Sequence, residues 1–125
     1  MLIEGPSGAG KSDLTLRLID RGAKLVSDDY TLLTRIDGGL IATAPATIAG
    51  KIEVRGLGII ALPHVDKVRV ALVVSLTDSP ERMPLAAEVR RIAGVDIHSV
   101  EIDPRSASAA IKVEMALTHL CGTPT

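Results

Sequence analysis

The chain has no Phe, no Trp and a single Tyr, so its 125 residues must fold around aliphatic side chains. Beyond Tyr30, no aromatic clamp on adenine is then expected. Cys121 is the only cysteine, which excludes an intrachain disulfide framework and a cysteine-built metal site and fits a reducing cytoplasm. No apolar run approaches the ~20 residues needed to cross a bilayer, and no basic segment leading into an apolar one marks a secretory leader. Fourteen Lys+Arg against fifteen Asp+Glu leave a formal charge of −1. That balance lacks the basic excess that nucleic acid or an anionic membrane surface demands. The expectation is a soluble cytoplasmic chain, 1–125 as one domain, with no nucleic-acid or membrane partner. A domain near this size buries about two thirds of its unfolded surface, enough for a self-sufficient core.

What is present begins at Gly5. Residues Gly5, Pro6, Ser7, Gly8, Ala9, Gly10, Lys11 and Ser12 fit the phosphate-loop pattern G-x-x-x-x-G-K-[ST] at every fixed position, and Asp13 follows. Glycines let backbone N–H groups turn inward around an anion, the lysine brings a point charge to the β/γ-phosphates, and the serine offers a hydroxyl to Mg²⁺. At ordinary residue usage, a chance match in a chain this long is on the order of one per cent. The context agrees: Met1 to Glu4 is a short apolar run that can end a strand. Leu14, Leu18 and Ile19 recur at helical spacing, and Gly22 follows as a stop. The loop would then present a helix N-terminus to nucleotide phosphates.

Further along, Lys24 to Ser27 reads as a second strand, parallel to the first and releasing Asp28 and Asp29 beside the phosphates. Tyr30 to Ile36 and Leu40 to Thr43 flank Asp37-Gly38-Gly39, a hairpin signal. Val68 to Leu76 reads as one strand buried on both faces. Leu85 to Ala93 reads as helix, and Val95 to Ile102 as a half-buried strand that Pro104 ends. Ser106 caps a last helix with an expected apolar face of Ile111, Met115, Leu117 and Leu120. His64, His98 and His119 share no metal-ligand spacing. The pattern predicts an α/β fold with a mixed, mostly parallel sheet, an antiparallel hairpin and flanking helices.

Three segments carry chemistry: the phosphate loop, L-V-S-D-D ending at Asp29, and I-E-V-R-G-L-G-I-I from Ile52 to Ile60. A strand-end aspartate near phosphates can hold Mg²⁺ or serve as a base, whereas a turn aspartate only caps N–H groups. Glu53 and Arg55 sit in an apolar, glycine-bracketed stretch, an unusual place for one solvated ion pair. In order and spacing the three segments resemble the HPr kinase/phosphorylase family, whose fold is a P-loop kinase core of the phosphoenolpyruvate carboxykinase-like type. The resemblance runs from Ile3 to about Leu120.

That resemblance implies an enzyme using ATP and Mg²⁺ to phosphorylate a serine on the phosphocarrier protein HPr, and removing the phosphate by phosphorolysis. It implies Lys11 at the β/γ-phosphates, Ser12 and Glu53 on Mg²⁺, Asp29 as the base that becomes an acid in reverse, and Asp28 orienting metal or base. Arg82, in P-E-R-M-P, resembles an arginine that stabilises transferring charge. Asp103 to Ser108 aligns with a segment linked to dephosphorylation, although D-P-R-S-A-S lacks that segment's glycine and second arginine. Members assemble as hexamers, which implies a homo-oligomer. Full-length members also carry a histidine about two dozen residues upstream of the loop lysine. That position has no counterpart here, so the resemblance is to a domain shortened at its N-terminus. Two other readings stay open: a nucleotide-binding regulatory module with weakened catalysis, and another P-loop kinase acting on a small molecule.

Overall fold

The computed structural model describes residues 1–6, 8–28, 30–80 and 88–121. Strand β1 (Leu2–Glu4) runs into the phosphate loop, and α1 (Lys11–Asp20) leaves it. Leu14 and Leu18, one turn apart, are buried. The helix ends as its sequence expects. Gly22, at φ 108°, donates its N–H to Ile19 O at 3.0 Å, and Ala23 N–H donates to Leu18 O at 3.0 Å. That double closure needs a left-handed residue, and glycine adopts it without steric cost.

Residues 24–27 do not form the expected strand. Leu25 makes one isolated parallel bridge to His64, and its carbonyl accepts the Val65 N–H at 2.8 Å. The chain next forms an antiparallel hairpin from β2 (Leu32–Ile36) and β3 (Gly39–Thr43). Asp37 and Gly38 turn it at φ 50° and 77°, the two positive angles of the turn that matches strand twist. A second hairpin, β4 (Lys51–Val54) and β5 (Gly58–Ala61), takes up the glycine-bracketed segment.

The apolar run from Val68 to Leu76 is divided rather than continuous. β6 (Val68–Arg69) pairs with β3, while β7 (Leu72–Leu76) enters a different sheet and pairs in parallel with β1. β8 (Glu88–Ile92) corrects the helix expected there: it is a strand, antiparallel to β9 (Val95–Ile102). Pairing with β9 outweighs local helical spacing; residues 85–87 lie outside the described residues. The chain closes with α2 (Ala109–Cys121). Ser106 lies ahead of this helix, its Oγ accepting the Ser108 N–H at 3.4 Å. The first helical bond runs from Lys112 N–H to Ser108 O at 2.9 Å.

The main sheet has the order β1-β7-β9-β8, parallel across the first three strands and antiparallel at β8. Alternate side chains of a strand point to opposite faces, so β7 divides its apolar residues between two cores. Leu72, Val74 and Leu76 pack with Leu14 and Leu18 of α1 and with Ala109, Ala110 and Val113 of α2. Val73 packs on the other face with Leu40, Ala42, Val70 and Ile97, under the β2–β3 hairpin. Both helices therefore cover one face and the hairpin sheet covers the other. Both clusters are aliphatic, as the composition requires.

The buried face of α2 differs from the expected one. Ala109, Ala110 and Val113 are buried, with Ala116 and Leu117 against them, while Ile111 and Met115 are about half exposed, at 44% and 54%. The helix carries apolar residues on every side, and the small alanines are the ones that admit close approach to the sheet. Among the described residues, no helix is long and apolar enough to cross a membrane.

Candidate functional site

The parallel strands end at Glu4, Leu76 and Ile102, and the phosphate loop starts at that edge. Gly5 is pressed between neighbours: a Cβ there would lie 3.2 Å from Leu76 Cβ and 3.3 Å from Ala9 Cβ. Ala9 N–H closes the loop onto Pro6 O at 3.0 Å. Gly8 and Gly10 take φ 80° and 99°, a left-handed path that L side chains resist. Gly10 is the N-cap of α1 and brings no side chain to the helix end, so first-turn N–H groups are left for a ligand. Lys11 Nζ reaches back to Gly5 O at 3.0 Å and holds its charge over the loop.

Asp28 joins the separate motifs. Its Oδ1 accepts the Ser12 hydroxyl at 3.0 Å and its Oδ2 accepts the Glu53 backbone N–H at 3.0 Å. One carboxylate thus ties the helix end of the phosphate loop to the β4–β5 hairpin. The Glu53 side chain is exposed, and Ile59 is its cross-strand partner. Lys11, Ser12 and Asp28 line a cavity of about 580 Å³ whose remaining wall is largely aliphatic, with Leu2, Val26 and Leu33 among its residues.

Behind the loop stands the segment between β9 and α2. Asp103, Pro104 and Arg105 share a second cavity of about 430 Å³ with Pro6, Gly8 and Ala9. Arg105 Nε and Nη2 each donate to the Asp103 carboxylate at 3.1 Å. That pairing holds the Asp103 carboxyl below its usual range and raises the Arg105 guanidinium. Glu4, one residue before the loop, accepts from Ser75 Oγ at 2.8 Å and is ion-paired to Arg90.

The structure therefore brings together Gly5, Pro6, Gly8, Ala9, Gly10, Lys11, Ser12, Asp28 and the backbone of Glu53. Asp13 lies in the first turn of α1, where its carboxylate pairs with Arg17 at 3.1 Å. Ser7, Asp29 and Arg82 lie outside the described residues. His64 serves the scaffold: its ring sits where a Cβ on Gly50 would be. Two groups near the loop escaped the sequence reading. Glu4 had a signal, a lone acid ending an apolar run just before the motif. Arg17 had none, since an arginine on an amphipathic helix looks like any solvated charge.

The donor set fits Mg²⁺. The Ser12 hydroxyl and the exposed Glu53 carboxylate are hard oxygen donors, Asp28 is hydrogen-bonded to both residues at 3.0 Å, and Mg²⁺ takes one or two protein oxygens together with phosphate oxygens and water. Among the described residues, no group of three or more His, Cys, Asp or Glu forms an all-protein cage. The cradle fits a nucleotide phosphate in the same way, since nothing lies within 4 Å of a Cβ built on Gly8.

A glycine-rich loop joining strand to helix at the C-terminal edge of a mostly parallel sheet defines an α/β domain of the P-loop kind. The chain belongs to the HPr Serine kinase C-terminal domain family, whose model matches residues 1–121. It is similar to the HPr kinase/phosphorylase of Clostridium kluyveri, at 36% identity over 132 residues, covering 95% of this chain and 43% of that protein. Against the HPr kinase/phosphorylase of Clostridium novyi, identity is 52% over 63 residues, half of this chain and 20% of the relative. The chain thus spans less than half the length of these relatives. Its fold is similar to the structure of the Hpr(Ser) kinase/phosphatase from Coxiella burnetii, with a TM-score of 0.80 and 30% identity. That match covers 94% of this chain and 85% of the other.

Proposed function

We propose that this chain is a single phosphotransfer domain that moves the γ-phosphoryl group of Mg²⁺-ATP to a serine of an HPr-like phosphocarrier, and returns it to inorganic phosphate. The observation that supports this most is the Asp28 bridge, which joins the Ser12 hydroxyl to the Glu53 backbone and so joins two separate motifs. In this reading the backbone amides of Gly8 to Lys11 cradle the phosphates and Lys11 neutralises charge at the β/γ-oxygens. Ser12 and Glu53 would hold Mg²⁺, with Asp28, bonded to the Ser12 hydroxyl and the Glu53 backbone, orienting them, and the ion would supply positive charge at the phosphate oxygens.

Asp29, one residue past Asp28, takes the proton of the acceptor serine. As that proton leaves, the serine Oγ–P bond forms and the bond from the γ-phosphorus to the bridging oxygen breaks, releasing ADP. In the phosphorolytic direction an oxygen of inorganic phosphate bonds to the phosphoserine phosphorus as the serine Oγ–P bond breaks, Asp29 gives a proton to the leaving serine oxygen and is reloaded by the proton that the attacking phosphate loses, and pyrophosphate departs. Arg82 stabilises charge on the transferring group. The site belongs to a cytoplasmic homo-oligomer, a hexamer in the family's manner, with no nucleic-acid or membrane partner.

The test is incubation of the chain with Mg²⁺-ATP and an HPr carrier, reading phosphoserine by intact mass. Phosphoserine should form, and Asp29→Asn should slow its formation by about 10²-fold or more, the usual contribution of a positioned base. An unchanged rate in Asp29→Asn would remove Asp29 from the mechanism. Consumption of ATP with small acceptors but not the carrier would replace the protein substrate by a small molecule.

A further inference from the structure

Arg17 is the one charged side chain of α1 that reaches the segment behind the phosphate loop. Its Nη2 donates to Pro104 O at 2.5 Å and its Nη1 to Ser106 O at 3.3 Å, while Asp13 pairs with the same guanidinium at 3.1 Å. Its Nε is buried and has no partner among the described residues. These contacts span 87 and 89 residues of sequence, so they fix tertiary position rather than helix shape.

What the guanidinium holds matters because of where Pro104 sits. A Cβ on Gly10 would lie 3.4 Å from Pro104 Cβ, so the proline ring backs directly onto the last glycine of the loop. Asp103, Pro104 and Arg105 also line the 430 Å³ cavity with Pro6, Gly8 and Ala9. The left-handed turn at Gly10 aims the first N–H groups of α1, and the Pro104 ring stands against that turn. A planar guanidinium can serve two carbonyls and a carboxylate at once, whereas an ammonium on a flexible stem cannot match that fork.

We propose that Arg17 is a positioning residue for phosphate binding: by holding the Pro104 and Ser106 carbonyls it braces Gly10 and keeps the loop amides aimed at the nucleotide phosphates. The proposal rests on the reading of the loop as a nucleotide site. It places Arg17 outside contact with the nucleotide and assigns its effect to the backbone it fixes.

The test is Mg²⁺-ATP binding by calorimetry, together with thermal unfolding with and without that ligand, for the unaltered chain, Arg17→Lys and Pro104→Gly. Arg17→Lys should weaken binding by about tenfold, the scale of one or two lost charge-assisted hydrogen bonds, with affinity measured at a temperature where the variant is fully folded so that any fall in ligand-free Tm does not enter it. Pro104→Gly, which leaves Arg17 intact but removes the brace, should weaken binding in the same direction. Equal affinity in Arg17→Lys and the unaltered chain would overturn the proposal. So would a lowered ligand-free Tm with affinity retained, since that is the signature of a purely structural arginine. No binding by the unaltered chain would overturn the nucleotide reading itself, and this role with it.

Discussion

Gly50 shows how one residue far from the loop supports the site. It adopts φ 73°, and the His64 ring occupies the space in which a Cβ would stand. The same histidine bridges Leu25, three residues before Asp28. Gly50→Ala should therefore cost stability twice, through the left-handed backbone and through displacement of the ring. We expect a loss of about 2 kcal/mol, read as a lowered denaturant midpoint with unchanged slope. A midpoint within error of the unaltered chain would show that the His64 packing has slack. A second residue-scale expectation concerns pH. Arg105 hydrogen-bonded to Asp103 depresses that carboxyl's pKa. A depressed folded value means the stabilisation is present above the unfolded pKa of about 4 and is lost as pH falls through the folded one. The difference in unfolding midpoint between the unaltered chain and Asp103→Asn should accordingly be largest near neutrality and close below about pH 4. A difference that stays constant into acid would mean the Asp103 charge contributes nothing.

At the scale of elements, local chemistry set what could be read. The Asp37-Gly38 turn was legible because its signal lies in two adjacent residues, and both take the positive φ that the dipeptide favours. The C-terminal stop of α1 at Gly22 was legible for the same reason. The β8–β9 hairpin was not: its turn is Ala93-Gly94, and Ala93 is held at φ 50°, a conformation alanine does not advertise. The strand there exists because β9 offers a long antiparallel edge, a contact no local window contains. Residues 24–27 failed in the opposite sense, since a strand-like run found a single bridge instead of a ladder. The site divides likewise. Its loop was legible from a motif, whereas the Asp28–Glu53 bond spans 25 residues and Arg17 to Pro104 spans 87. The strain at Ala93 also predicts a gain. Ala93→Gly removes the steric cost of a left-handed alanine, and although glycine adds unfolded-state entropy, the net should be a stabilisation of about 0.5–1 kcal/mol. A lowered unfolding midpoint in Ala93→Gly would show that the turn tolerates alanine without cost.

For the whole molecule the question is whether the hairpin layer and the helical layer unfold together. They share β7: Val73 faces one core while Leu72 and Val74 face the other, and all three are fully buried. A strand packed on both sides transmits the loss of either layer, because each exposed face leaves the sheet without half of its apolar contacts. Leu14 and Leu40, each at 0% exposure, anchor the helical and hairpin layers respectively. Leu14→Ala and Leu40→Ala should each cost about 3 kcal/mol, within the range for deleting a buried leucine side chain. If the chain is one cooperative unit, both variants should unfold in a single transition with unchanged denaturant slope, observed identically by far-UV circular dichroism and by hydrogen exchange of β7 amides. A biphasic curve in Leu40→Ala, with the β7 amides surviving the first phase, would show the hairpin layer to be a separate unit laid over an independently stable phosphate-loop core. Loop geometry would then be insensitive to Leu40, so Mg²⁺-ATP affinity in that variant separates the two cases. A single unit ties affinity to the folded fraction, and a divided one leaves affinity intact through the first phase.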